Sequence, residues 1–429
     1  MIQLVILDPG HFHASLLQKR MYPQVSPVVH VYAPEGPELQ DYLARIDGFN
    51  SDPVSPTHWE TRVHASAHYL NDLLSQRWGS IVITAGNNLR KSEYLKAAID
   101  GGFHVLGDKP LCINSEGWLK LRSTLETASA HQLLLYDIMT ERFEITSILQ
   151  REFVQCKEPF GDLLTGSPAQ PSIIKESVHH LSKSVAGRPL KRPAWYFDVA
   201  QQGDGIVDVT THLVDLVMWI CFPGIAIQHE KDIELLQARR WPTKVSRSQF
   251  EKVTRQNDFP EFLYPNVHNS VLDCYCNGEI SYTLKGNHVK IAVAWNFEAP
   301  EGGGDTHESR IRGSNADVVI HQGEAQRYQP ELYLEPHPQA SMQSWADALR
   351  QIVGGLTKRY SGLELRQREH DWHLFIPDRH RRGHEAHFSQ VAENFLQFLE
   401  NQQLPDWEVP NMIAKYYTTT KALDLARSS

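Results

Sequence analysis

The chain has 429 residues, 41% of them hydrophobic, which is more than one core usually accommodates and enough to build two domains. Lys and Arg number 42 against 51 Asp and Glu, a formal charge of -9, and no long basic block is present to neutralise phosphates, which argues against a nucleic-acid partner. No apolar run is long enough to suggest a membrane span. Arg379, Arg381 and Arg382 are too short a cluster to alter this and read as a solvated loop.

The opening run Met1 to Leu7 reads as a first strand and lacks the basic start and cleavage site of a signal peptide, so a cytoplasmic location is expected. The turn Asp8-Pro9-Gly10-His11-Phe12-His13 follows. A helix is expected from Ser15 to Met21 and a second strand from Val28 to Tyr32, the beginning of a βαβ unit. Turns of this kind bind dinucleotides through Gly-x-Gly-x-x-Gly, whose backbone amides approach the diphosphate without Cβ interference. Aligned on Gly10, Asp8 stands for the first glycine and His13 for the third, and Asp8 would repel a diphosphate if it pointed inward.

Further on, Ser80 to Thr84 reads as an apolar strand, Ala85-Gly86-Asn87-Asn88 as a loop and Ser92 to Asp100 as an amphipathic helix closed by Gly101-Gly102. Phe103 to Leu106 is a strand ending in Gly107-Asp108-Lys109-Pro110, where the proline fixes the backbone beside Lys109. A helix over Ser115 to His131 and a strand over Gln132 to Tyr136 complete a first domain, 1–137. A second domain, 138–429, is expected to begin with a helix running to about Arg151.

The second domain contains Gly203-Asp204-Gly205 and then Asp208, His212 and Asp215, at intervals of four and three that place them on one face if the segment is helical. From Val271 strands dominate: Val271 to Cys276, Glu279 to Leu284, Val289 to Phe297, Glu308 to Gly313 and Ala316 to His321. Turns are expected at Asn277-Gly278, at Lys285-Gly286-Asn287 and at Gly302-Gly303-Gly304. The expected architecture is an α/β Rossmann-type domain followed by an α+β domain with a large, mostly antiparallel open sheet. Such a sheet leaves one face for a partner subunit, so a homodimer or homotetramer is expected.

The acid-Lys-Pro triplet after a Gly-x-His-Val strand, together with Asp-x-x-x-His-x-x-Asp after a glycine-rich lead-in, resembles the glucose-fructose oxidoreductase / inositol dehydrogenase family. The tail, with Gly383-His384-Glu385-Ala386-His387-Phe388 and Lys415-Tyr416-Tyr417, is similar to a subgroup with a distinctive C-terminal oxidoreductase domain. The resemblance implies NAD or NADP as cofactor and a carbohydrate or polyol as substrate. It implies cofactor contacts from Gly10, His11, Phe12, His13, Thr84, Asn87, Asp108 and Lys109. Glu35 is the nearest acid for the adenosine ribose, and no base follows it closely to take a 2′-phosphate, which favours NAD without excluding NADP.

Oxidising a carbinol requires a base for the hydroxyl proton and a cation for developing alkoxide charge. His212 is the expected general acid/base, with a carboxylate to orient its ring, Lys109 the cation on the reacting oxygen, and Asp208 the group that holds substrate hydroxyls or balances the lysine. The choice of proton acceptor between Lys109 and His212 stays open. Tyr196, in the aromatic run Trp195-Tyr196-Phe197, and His179 are expected substrate contacts, with Lys175 and His180 beside them on a strand-like segment. Cys274 and Cys276 read as strand residues. His384, Glu385 and His387 have spacing that suits a metal, but no third ligand can be named, so none is expected. Two rival functions accompany this reading: redox-assisted glycoside cleavage and non-catalytic nucleotide or sugar sensing.

Overall fold

The computed structural model describes residues 1–76, 80–185, 188–338 and 341–428. Six parallel strands form the first sheet: β1 (Ile2–Leu7), β2 (Val25–Ala33), β3 (Glu60–Ala65), β4 (Ile81–Thr84), β5 (His104–Asp108) and β6 (Leu135–Ile138). Their order is β3-β2-β1-β4-β5-β6, so the winding reverses between β1 and β4. Ligands of open α/β sheets collect at that reversal, outside the carboxyl ends of the strands. Every residue of β4 and β6 is buried, as expected for strands covered on both faces. Helices Pro37–Asn50, Lys91–Asp100 and Ser115–Ala130 supply cover, and Asn114 caps the last by accepting from Gly117 N at 2.8 Å.

The second sheet has ten strands: β7 (Ile173–Ser182), β10 (Ile233–Ser246), β11 (Val267–His268), β12 (Val271–Leu284), β13 (Asn287–Glu298), β14 (Thr306–Arg312), β15 (Ala316–Gln322), β16 (Glu331–Pro336), β17 (Glu364–Gln367) and β18 (Trp372–Phe375). The short pair β8 (Ser184–Val185) and β9 (Arg188–Pro189) stands apart. The order is β10-β12-β13-β7-β14-β15-β16-β18-β17, with β11 on β12; β7 and β13 run parallel and the other pairs antiparallel. The architecture is therefore a Rossmann-type sheet followed by a large, mostly antiparallel one. Among the described residues no helix is long and apolar enough to cross a membrane.

Four local expectations are corrected. The first helix is a single turn, His13–Leu16, instead of a run to Met21. Asn277-Gly278 is no turn: β12 runs through it, with a bulge opposite Trp241 and Thr243. The Asn277 side chain bonds Trp241 O, Thr243 Oγ1 and Trp295 N, and Gly278 is small because a Cβ there would lie 2.8 Å from Ile206. The helix carrying His212 starts only at Thr210, so Asp208 stands before it on a non-helical residue (φ -94°, ψ -100°) and shares no helical face with Asp215. Lys175 points inward, where it is fully buried and donates to Ser309 Oγ at 2.6 Å.

The C-terminal helices His384–Glu400 and Glu408–Ser428 join the two halves. Phe388, Phe395, Met412 and Tyr416 pack into the core of the parallel sheet, while Ala414, Ala422 and Leu423 pack into the core of the large sheet. A helix shared by two cores sets how the halves meet, and the candidate site lies at that meeting.

Candidate functional site

The turns after β1, β4 and β5 converge at the carboxyl edge of the first sheet. Asp8 has φ 50°, the left-handed region in which glycine is at ease and Asp is tolerated. Its carboxylate turns away from the cleft and accepts from Tyr94 Oη at 2.7 Å and Tyr69 Oη at 3.4 Å. Burial raises its pKa. The glycine that close packing requires is Gly86 on the β4 turn, because a Cβ there would sit 2.4 Å from Asp8 O and 2.8 Å from Gly10 N. Gly10 itself has ordinary room, with Trp195 from the second half lying over it.

Lys109 leaves the end of β5 and its Nζ donates to Asp208 Oδ1 at 2.5 Å. Burial works against charge on Asp208, but the Lys109 ammonium outweighs it and holds the carboxyl below its ordinary range. His212 faces the same cleft one turn later. Burial, reinforced by Lys109, pushes its pKa down to about 4, so the ring is neutral near pH 7. The carboxylate expected beside the ring does not bond Nδ1, which is buried without a partner among the described residues. Asp215 is instead held by Arg142 at 2.6 and 2.7 Å and by Lys415 at 2.8 Å.

The cleft between the halves has a volume of about 1260 Å³ and brings together His11, Phe12, His13, Asp108, Lys109, His179, Tyr196, Asp208 and His212. A smaller cavity of about 220 Å³ adjoins it through His11, Phe12, Arg192 and Tyr196 and extends past Gly10 to Glu38, Asp41, Arg45 and Arg255. Glu35, Thr84 and Asn87 line neither: Glu35 is exposed at the end of β2, Thr84 is buried, and Asn87 donates to Gln201 Oε1 at 2.8 Å. Its neighbour Asn88 does reach the cleft, and donates to Gln202 O at 2.8 Å.

His179 and His180 both approach Asp305, at 3.2 and 2.9 Å, with Lys183 at 3.1 Å. Burial opposes charge on Asp305, but the bond from His179 and the Lys183 charge lower its pKa strongly. The Arg192 guanidinium lies 4.4 Å from the Tyr196 ring centre. Glu141, Arg192, Asp305 and His384 are cleft residues that the sequence reading did not assign to substrate or cofactor. Only His384 carried a signal, its His-x-x-His spacing. Glu141 lies on the short helix Thr140–Phe143, Arg192 and Asp305 lie outside helices and strands, and the three become neighbours through the second sheet and the C-terminal helix.

The model of the family described as "Putative oxidoreductase C terminal domain" matches residues 149–427. The crystal structure of a "putative oxidoreductase" from Parabacteroides merdae ATCC 43184 is 49% identical, with 100% of this chain and 98% of that one covered and a TM-score of 0.98. Similar folds at low identity include a levoglucosan dehydrogenase in complex with NADH and L-sorbose (11% identity, 100% and 97% covered, TM-score 0.63). Another is a 3-ketoreductase mutant from Actinomadura kijaniata in complex with TDP-benzene and NADP (12%, 100% and 97%, TM-score 0.58). No curated protein matches the chain. With the family model spanning most of its length and a near-superimposable relative at this identity, the chain belongs to the family defined by the putative oxidoreductase C-terminal domain.

Proposed function

We propose that the protein is a nicotinamide-dinucleotide-dependent oxidoreductase of the glucose-fructose oxidoreductase / inositol dehydrogenase type, acting on a secondary hydroxyl of a sugar, polyol or glycoside. The observation that carries this is the Lys109–Asp208 pair, built from both halves of the chain, with His212 in the same cleft. The nicotinamide ring supplies the hydride acceptor when bound. Lys109 then donates to the reacting oxygen and stabilises alkoxide charge, Asp208 orients the lysine and a neighbouring hydroxyl, and His212, neutral near pH 7, takes the proton.

The residues present fit an elongated dinucleotide. The two adjoining cavities form a path from Glu38, Asp41 and Arg45 to Lys109, the Asp8 carboxylate is turned out of it, and Arg192 and Arg255 supply positive charge along it. The nicotinamide complexes among the similar folds support the same cofactor class. Tyr196 offers a flat ring to sugar C–H surfaces, and a cleft this large suits a glycoside better than a lone small polyol.

Nucleotide released from the denatured protein is to be identified by absorbance and mass, followed by titration of the apoprotein with NAD and NADP and a survey of sugars, polyols and glycosides for NAD reduction. NAD binding with reduction by one of these substrates is the expected result. Binding of neither nucleotide would sink the reading.

Self-association through the outer face of the large sheet is part of the same proposal. That face carries Lys290 between Glu176 and Glu279, with Arg239 on Glu279, so its charges are paired within the sheet and a second copy can cover it without stranding them. Light scattering behind size exclusion tests it, and a monomer at micromolar concentration would refute it.

A further inference from the structure

The β1 turn places two histidines, His11 and His13, against one carboxylate. His13 Nδ1 lies 2.9 Å from Asp108 Oδ2 and His11 Nδ1 lies 3.7 Å from the same oxygen. One donor atom from each of the three residues can be chosen so that all lie within 4.8 Å of one another. Asp108 is 4% exposed, and both its Oδ1 and His11 Nδ1 are buried without a hydrogen-bond partner among the described residues. Buried polar atoms left unpaired cost free energy, and a ligand that reaches both would remove that cost. The neighbouring ammonium groups do not fill the role: Lys109 is turned to Asp208 at 2.5 Å and Lys91 donates to the main-chain oxygen of Asp108 at 2.9 Å.

We propose that His11, His13 and Asp108 bind a divalent first-row transition-metal ion, in the two-histidine, one-carboxylate class, with its remaining coordination positions open to the cleft. Imidazole nitrogen with carboxylate oxygen suits zinc, iron and similar ions better than magnesium or calcium, which take all-oxygen sets. Metal–ligand distances of about 2.0 to 2.2 Å put neighbouring donors about 3 to 3.5 Å apart, so small side-chain adjustments bring these three onto one ion. All three residues line the large cleft, so the open side faces bound hydroxyl or carbonyl oxygen. The inference goes beyond the redox reading; the resemblance implies cofactor contacts at the same three residues, so the ion is tested with no nucleotide present.

The test uses the full chain, stripped with chelator and titrated with Co²⁺ alone and with Zn²⁺ alone, without nucleotide or sugar. One ion per chain is expected, with a visible cobalt ligand-field band. His13→Ala and Asp108→Asn should weaken binding by roughly 100-fold or more, beyond the effect of an outer-shell change. His11→Gln, a milder change at the more exposed member, should shift the cobalt band, and a melting curve checks that each variant is folded. Failure to retain either ion, or retention unchanged in all three variants, would overturn the site. So would loss of binding in His384→Ala and His387→Ala alone, which would move the ion to the C-terminal helix.

Discussion

Lys109 Nζ and Asp208 Oδ1 meet at 2.5 Å although one residue ends a strand of the parallel sheet and the other precedes a helix of the second half. The pair is almost buried, with side chains 11% and 8% exposed, so each charge depends on the other for solvation. It also fixes the ammonium where the two halves form the cleft. In the proposed reaction this is the group that meets the developing alkoxide.

Lys109→Ala is expected to lower kcat by about 10²-fold or more while NAD affinity stays nearly unchanged, because the interaction forms fully only as the oxygen gains charge. Asp208→Asn should lower kcat less and raise KM, since the lysine remains but loses its anchor. Steady-state kinetics with calorimetric NAD titrations separate the two. A parallel loss of NAD affinity in Lys109→Ala would reassign the lysine to the cofactor.

His212 governs the second prediction. Its pKa is lowered from 6.5 to about 4 by burial and Lys109, so kcat/KM for oxidation should rise with pH through about 4 and not through the ordinary histidine range. The same depression bears on stability. Between these values the unfolded chain binds the proton and the folded chain does not, so stability from this group is present above pH 6.5 and is lost as pH falls toward 4. The loss amounts to about 3 kcal/mol. His387, lowered to about 4 by burial, acts in the same direction. Melting temperature should therefore fall as pH drops from 6.5 to 4, and His212→Asn should make that fall shallower. Equal slopes would show that the ring is solvated.

Gly86→Ala tests how the turns are packed. Its Cβ would meet Asp8 O at 2.4 Å and Gly10 N at 2.8 Å, both backbone atoms that cannot swing aside. The β1 and β4 turns must separate, with a cost of about 1 to 3 kcal/mol. NAD binding should weaken by about tenfold, on the scale of a 1.4 kcal/mol distortion of the binding loop. Calorimetric titration and a melting curve check both effects, and a variant of unchanged affinity would place the dinucleotide away from these turns.

The strand-helix alternation and the acid-Lys-Pro end of β5 were legible because period and punctuation are local. The pairing of Lys109 with Asp208 and His212 came from the family resemblance, and the geometry brings all three to one cleft. Less legible were features set by distant partners. Asn277-Gly278 has turn composition, yet both residues serve contacts made across the sheet and with Ile206. Asp215 matches the spacing of a site residue but is neutralised by Arg142 and Lys415, one of which lies 200 residues further along the chain. Gly86 looks like an ordinary loop glycine until the neighbouring turn is in place.

Lys415 supplies the last prediction. Its side chain is fully buried and bridges Asp137 at the end of the parallel sheet to Asp215 on the His212 helix, both at 2.8 Å. Arg142 extends the network from Asp215 to Glu408, on the same C-terminal helix as Lys415, at 2.7 Å. Lys415→Met fills similar volume but leaves the buried Asp137 carboxylate with only the Tyr416 hydroxyl, while Asp215 keeps Arg142, a loss of about 3 to 5 kcal/mol. The melting temperature should drop by several degrees. The loss should be smaller in Lys415→Met combined with Asp137→Asn, because the stranded charge is gone. If the variant that folds keeps full kcat, the network acts on stability alone. A lowered kcat with unchanged NAD affinity would show that the C-terminal helix also sets the position of His212, three residues before Asp215 on one helix.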